Sequence, residues 1–250
     1  MSMEFKEYPD REMLALSLAD RLASQLGQHL RNSEGATLCV PGGTSPIQVF
    51  ETLSGTDLDW DRVTVFLGDE RWVDGEHKRS NGRLLRRYLL KDKAAAANYI
   101  DLYTGDPLPD DAIGKLGETL APHLPITVAL LGMGNDMHTA SLFPGSDRLT
   151  EALANDAPPL LPIRSEGAEE PRITLTRPVL SKAFHIHVLI MGPEKREALE
   201  RAQKLEPAEA PIRAFSGSGH GALGGIRGRH AEYLESAEIP SRISGRNTYH

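Results

Sequence analysis

Along this chain, short apolar runs repeatedly give way to polar loops that carry glycine. Ala36–Val40 runs into Pro41-Gly-Gly-Thr-Ser-Pro46, and Val63–Leu67 into Gly68-Asp-Glu-Arg71. Ile126–Leu131 enters Gly132-Met-Gly-Asn-Asp-Met-His138, and Phe184–Met191 ends at Gly192-Pro193. Helical periodicity fills the gaps between them. Leu14, Leu18, Leu22, Leu26 and Leu30 recur within residues 13–30, Ile47, Phe50 and Leu53 mark a second helix, and residues 81–90 and 194–203 read as two more. Ser45 followed by Pro46 reads as an N-cap with proline in the first turn. Near-continuous apolar strands alternating with helices predict an α/β fold: a mostly parallel sheet with helices on both faces. Such sheets bind ligands beyond the carboxyl ends of their strands, where these loops fall.

The chain has 250 residues, enough for one core that buries roughly three quarters of the unfolded surface. We read residues 1–215 as one domain. The remainder, 216–250, differs in kind: Gly217, Gly219, Gly221, Gly224, Gly225 and Gly228 crowd together, and only a short helix near Ala231–Ser236 suggests itself. A flexible tail is expected there. The single cysteine, Cys39, lies in an apolar run and reads as a buried structural thiol rather than a nucleophile. The N-terminus lacks the apolar core of a signal peptide, and no run approaches the ~18 apolar residues of a membrane span. A cytoplasmic monomer is the expectation. A net charge of −7 disfavours nucleic acid, so any anionic ligand must be met by a local basic cluster.

Several loop residues could carry chemistry. The two glycines after Pro41 let backbone approach a ligand, and a helix start just beyond offers free N–H groups to an anion; a plain tight turn explains them equally well. Gly132-Met-Gly lacks the third glycine of a dinucleotide fingerprint, which argues against a nicotinamide site. Asp136 and His138 are placed so that a carboxylate can orient an imidazole, the arrangement of a general base. In Asp69-Glu-Arg71, Arg71 has a fork of donors suited to an anion or an oxyanion. Arg172 and Lys195 are further basic candidates, although each alone reads as a surface charge. His185 and His187 share a strand face with no third ligand nearby, so a polar face is preferred to a metal site. Thr44, Ser45 and Ser141 stand outside any Gly-x-Ser-x-Gly, so no nucleophile elbow is indicated.

Together these loops resemble the 6-phosphogluconolactonase family, in its order, from about residue 8 to about residue 215. Pro41–Pro46 is similar to that family's phosphate-side loop, and Phe66-Leu-Gly-Asp-Glu-Arg-Trp-Val73 with Ser80-Asn81 to its second signature. Gly132–Pro144 is the most specific match, and Pro171-Arg-Ile-Thr-Leu-Thr and Gly192-Pro-Glu-Lys195 complete the set. The resemblance implies a Rossmann-like sugar-phosphate isomerase type of fold and no metal or organic cofactor. It implies that His138, oriented by Asp136, deprotonates the water that attacks a phosphorylated sugar lactone, and that Arg71 stabilises charge near the lactone. Gly42, Gly43, Thr44, Arg172 and Lys195 would hold the phosphate side, with Asp69, Ser80 and Asn81 also at the substrate. Two departures stand out. Met137 occupies a position where the family usually has glycine, and the glycine-rich tail replaces the final strand the family carries.

Two rival readings follow from the same resemblance. An aldose–ketose isomerase or deaminase of this fold would typically show Asp-Glu-Tyr and an Asn-Glu-Pro segment, where this chain has Asp-Glu-Arg and Ser141-Leu-Phe-Pro144. A non-catalytic sugar-phosphate sensor should lose His138 and carry a DNA-binding domain.

Overall fold

In the computed structural model, which describes residues 4–166, 168–215 and 230–236 (backbone alone for 4, 5 and 230–236), the apolar runs form strands. The order is β1 (Glu4–Tyr8), α1 (Arg11–Leu30), β2 (Ala36–Val40), α2 (Ile47–Ser54), β3 (Val63–Leu67), β4 (Asp69–Arg71) and α3 (Asn81–Tyr88). Then come β5 (Asn98–Ile100), α4 (Pro109–Leu120), β6 (Val128–Gly132), α5 (Leu149–Leu153), β7 (Leu160–Ile163) and β8 (Arg172–Leu175). The last elements are α6 (Arg177–Leu180), β9 (His185–Met191), α7 (Pro193–Ala202) and β10 (His230–Ser236).

The main sheet has strand order β1-β10-β9-β6-β2-β3-β5, and every pairing in it is parallel. All residues of β2 and β3 are buried, as strands covered on both faces must be. Helix α1 starts at Arg11 because Asp10 caps it, accepting from Met13 N at 2.8 Å. It turns Leu14, Leu18, Leu22, Leu26 and Leu30 into the core. The expected α/β architecture is the observed one.

Three local expectations need correction. Ser45 does not cap α2: Pro46 holds the N-cap position, no side chain caps it, and Ile47 N donates to the Thr44 carbonyl at 3.3 Å. Residues 230–236 form a strand, not a helix, and it lies between β1 and β9. Pairing on both sides satisfies two ladders of backbone groups at once, which outweighs the weak local preference of a short segment. The expectation that the tail carries no final strand is corrected with it. The glycine-rich stretch before it lies outside the described residues.

A second sheet was not foreseen. β4, β8 and β7 form a three-stranded antiparallel sheet in that order. It grows from the loop after β3, and its consequence is to bring Arg71 and Arg172 together.

Candidate active site

Loops after β2, β3, β6 and β9 converge with β8 on a cleft of about 210 Å³. Its walls include Gly42, Gly43, Asp69, Arg71, Asn81, His138, Arg172 and Lys195. These are sequence candidates, drawn to one place by the carboxyl-end rule.

The loop after β6 is wound tightly around His138. Gly134 N donates to the His138 carbonyl at 2.9 Å, and Met137 N to the Gly134 carbonyl at 2.9 Å. His138 Nδ1 lies 2.5 Å from Asp136 Oδ1, so the carboxylate stands behind the ring. Partial burial works against the Asp136 charge, yet the hydrogen bond and charge of His138 together hold its carboxyl below the ordinary value. With Nδ1 engaged, Nε2 is the nitrogen left for chemistry.

Met137 has φ 65°, the left-handed region that glycine adopts freely. Its carbonyl accepts from Ile212 N at 3.1 Å, which clamps the loop from the far end of the chain. Met137→Gly should remove strain of roughly 1 kcal/mol while giving up some side-chain burial. Turnover at or above the wild-type level with an unlowered melting temperature is expected. A fall in both would mean that the methionine's packing outweighs its strain.

Arg71 and Arg172 are direct partners across the β4–β8 ladder. Like charges placed opposite each other are unfavourable, and an anion between them relieves that repulsion. Arg172 has Asp69 as a distant counter-charge at 3.8 Å, and the Nε atoms of Arg71 and Arg172 are buried without a hydrogen-bond partner. Burial pushes the Arg172 guanidinium below its ordinary pKa, and Arg71 adds to this against the pull of Asp69. Asp69 in turn accepts from Ser141 Oγ at 2.5 Å.

Glu70, between Asp69 and Arg71, organises this wall. Fully buried, it accepts from Arg71 N (2.7 Å), Asn81 N (2.8 Å), Gly82 N (2.7 Å) and Ser80 Oγ (3.0 Å). Burial raises its pKa, and these four bonds oppose the rise. It thereby joins β4 to the N-terminus of α3, where negative charge is favoured. Asn81 Nδ2 donates to the Asp69 carbonyl at 3.1 Å, and its side chain lies where a Cβ on Gly42 would fall. Gly42 must therefore lack a side chain for this packing, whereas Gly43, at φ 82°, meets nothing.

Lys195 reaches across from α7 to the Met133 carbonyl at 2.5 Å; burial lowers its pKa despite Asp136 and Glu194. Three sequence candidates stand apart from the cleft lining, Asp136 being the one behind the His138 ring. Thr44 is exposed beside it, with Ser45 lining instead, and Ser80 is buried as the N-cap of α3, accepting from Arg83 N at 3.0 Å. Sequence reasoning missed Glu70 and Gly134. A Cβ on Gly134 would collide with both the His138 ring and the Asp136 carboxylate. The signal for Gly134 lies in Gly132-Met-Gly, which on sequence alone reads only as an incomplete nucleotide motif.

Cys39 is buried, and burial with Asp69 nearby pushes its thiol pKa far up, so it offers no nucleophile at neutral pH. His187 is buried with Nε2 at 2.7 Å from Gln25 Oε1. Among the described residues, no group of three or more His, Cys, Asp or Glu is arranged to hold a metal, and no helix is long and apolar enough to cross a membrane.

Residues 9–223 match the family described as glucosamine-6-phosphate isomerases/6-phosphogluconolactonase. A 6-phosphogluconolactonase from Rhizobium meliloti is 41% identical over 218 residues, 86% of this chain and 94% of that protein. One from Pseudomonas putida is 38% identical over 216 residues, 86% and 89% of the two chains. The crystal structure of a 6-phosphogluconolactonase from Shewanella baltica superposes with a TM-score of 0.87 at 30% identity, covering 95% of this chain and 98% of that one.

Proposed function

The chain belongs to the glucosamine-6-phosphate isomerase/6-phosphogluconolactonase family, and we propose that it hydrolyses 6-phosphogluconolactone with His138 as the base. The observation that carries the reading is a base and a pair of anion-binding arginines facing one cleft. His138, backed by Asp136, lines the same small space as the opposed Arg71 and Arg172.

The chemistry is simple enough for these groups. His138 Nε2 takes a proton from water as its oxygen attacks the lactone carbonyl carbon. The carbonyl oxygen becomes an oxyanion, for which Arg71 is the nearby donor in this reading. Collapse breaks the ring C–O bond, and the proton on His138 passes to the leaving ring oxygen, giving 6-phosphogluconate. A strained ester needs neither a covalent enzyme intermediate nor a metal for this. The phosphate, gripped by Arg172 and Lys195 with the glycine backbone of the β2 loop, holds the reacting carbon in place. Asp69 and Asn81 line the same wall, Ser80 supports it from behind, and Thr44 stands exposed beside it. A cytoplasmic protein that binds no nucleic acid completes the reading: the net charge of −7 supports the absence of nucleic acid, and the lone buried cysteine accords with a reducing compartment.

A coupled assay with freshly made 6-phosphogluconolactone, corrected for spontaneous hydrolysis, tests the proposal. Release of ammonia from glucosamine 6-phosphate, without lactone hydrolysis, would move the assignment to the deaminase branch. For the phosphate side, Arg172→Ala should weaken the phosphorylated substrate by about 1.5–3 kcal/mol, the scale of a charged hydrogen bond. Unphosphorylated gluconolactone should barely notice the change. Equal loss with both substrates would make Arg172 structural.

A further inference from the structure

Phe143 shares a loop with His138, and its ring is half-buried beside the cleft without lining it. Its backbone is fixed: the Phe143 carbonyl accepts from Ser146 N at 3.1 Å and from Ser146 Oγ at 2.9 Å. The ring centroid lies 4.2 Å from that of His138, with the planes inclined at 37°. The Arg172 guanidinium carbon sits over the same ring, 5.0 Å from its centroid. One aromatic ring thus touches two cleft residues that come from different elements, the β6 loop and β8.

We propose that Phe143 is a positioning residue that couples the imidazole of His138 to the guanidinium of Arg172. The inference rests on the lactonase reading and deepens it. The hydrogen bond to Asp136 fixes where Nδ1 points but leaves the ring free to rock about that axis. A flat neighbour at stacking distance removes this freedom and so sets the direction of Nε2. Arg172 needs a similar constraint, because its Nε has no hydrogen-bond partner and Asp69 stands 3.8 Å from Nη1. The ring face gives the guanidinium a plane to lie against. When an anion draws Arg172 into place, Phe143 transmits the fit to His138. Filling the phosphate site and aligning the base become one event.

Kinetics of Phe143→Leu and Phe143→Tyr in the full chain test this. The leucine variant should lower kcat for 6-phosphogluconolactone about 10-fold and raise KM about 5-fold, while tyrosine, which keeps the ring, restores both to within about two-fold. With unphosphorylated gluconolactone only kcat should fall. In an Arg172→Ala background, Phe143→Leu should raise KM no further, since the coupled partner is gone. Wild-type kinetics in the leucine variant, equal damage from tyrosine, or multiplying KM effects would each overturn the proposal. If the leucine variant melts far below wild type, Phe143→Met takes its place. A readout independent of turnover is the NMR shift of the His138 ring protons. Inorganic phosphate should move these signals in wild type and leave them still in the leucine variant. An identical response in both would refute the coupling even if the lactonase reading stands, and the coupling can be read this way even if that reading fails.

Discussion

Replacing His138 with alanine should lower kcat for 6-phosphogluconolactone by about 10²-fold or more, with KM changed only a few-fold. The expectation follows from what the side chain does and does not touch. His138 Nδ1 is occupied by Asp136, so the ring faces the cleft with Nε2 as its remaining nitrogen. The phosphate contacts in this reading come from Arg172 and Lys195, which the substitution leaves in place. Loss of a positioned base therefore strikes the transition state and spares ground-state binding. Asp136→Asn should give a smaller loss of the same kind, because the amide can still meet the ring but no longer favours its protonated form. The measurement must subtract the uncatalysed opening of the lactone. A His138→Ala enzyme that keeps its kcat and loses only affinity would make the histidine a binding group and leave the base unassigned.

The sequence made the loops legible and their mutual arrangement only partly so. Strands β2, β3, β6 and β9 were readable because each is a short, nearly continuous apolar run, the pattern of a strand buried on both faces. From that pattern the end of the sheet where the loops gather follows, but not the entry of Arg172 from the start of β8 or of Asn81 from the start of α3. The small β4-β8-β7 sheet was not readable. β4 has only three residues, two of them buried charges, and nothing in Asp69-Glu-Arg71 signals a strand. The consequence is that nothing in the sequence shows Arg71 and Arg172 to be cross-strand neighbours. Strand β10 escaped for a different reason: its pairing with β1 spans most of the chain, that with β9 joins residues 45 apart, and local propensity carries no trace of such partners. Glu70 escaped because its four hydrogen bonds come from backbone and side-chain groups that converge only after β4 docks on α3. Met137 was the reverse case. A residue standing where glycine is usual pointed to a positive φ, and the backbone takes one.

Gly134→Ala should be nearly as damaging to turnover as loss of His138 itself, which separates geometry from chemistry at the same site. Gly134 has no left-handed φ, so an alanine there faces no backbone strain. The difficulty is purely spatial: the added methyl would occupy the place where the His138 ring and the Asp136 carboxylate meet. The neighbouring backbone cannot simply recede, because Gly134 N is bonded to the His138 carbonyl and the Gly134 carbonyl to Met137 N. The side-chain pair must therefore part or swing toward the cleft. Overpacking of this kind costs about 1–3 kcal/mol of stability, so the variant should fold with a lowered melting temperature. A base displaced by even about 1 Å loses about 10²-fold in rate, and kcat should fall by that order while KM stays within a few-fold. Gly105→Ala supplies the control. That glycine, outside the cleft lining, carries a strained φ of 82° but has open space around its Cβ, so its alanine should cost stability of about 1 kcal/mol and leave kcat largely intact. Full turnover in Gly134→Ala would show that the His138–Asp136 contact is dispensable, and the mechanism built on it would have to be abandoned.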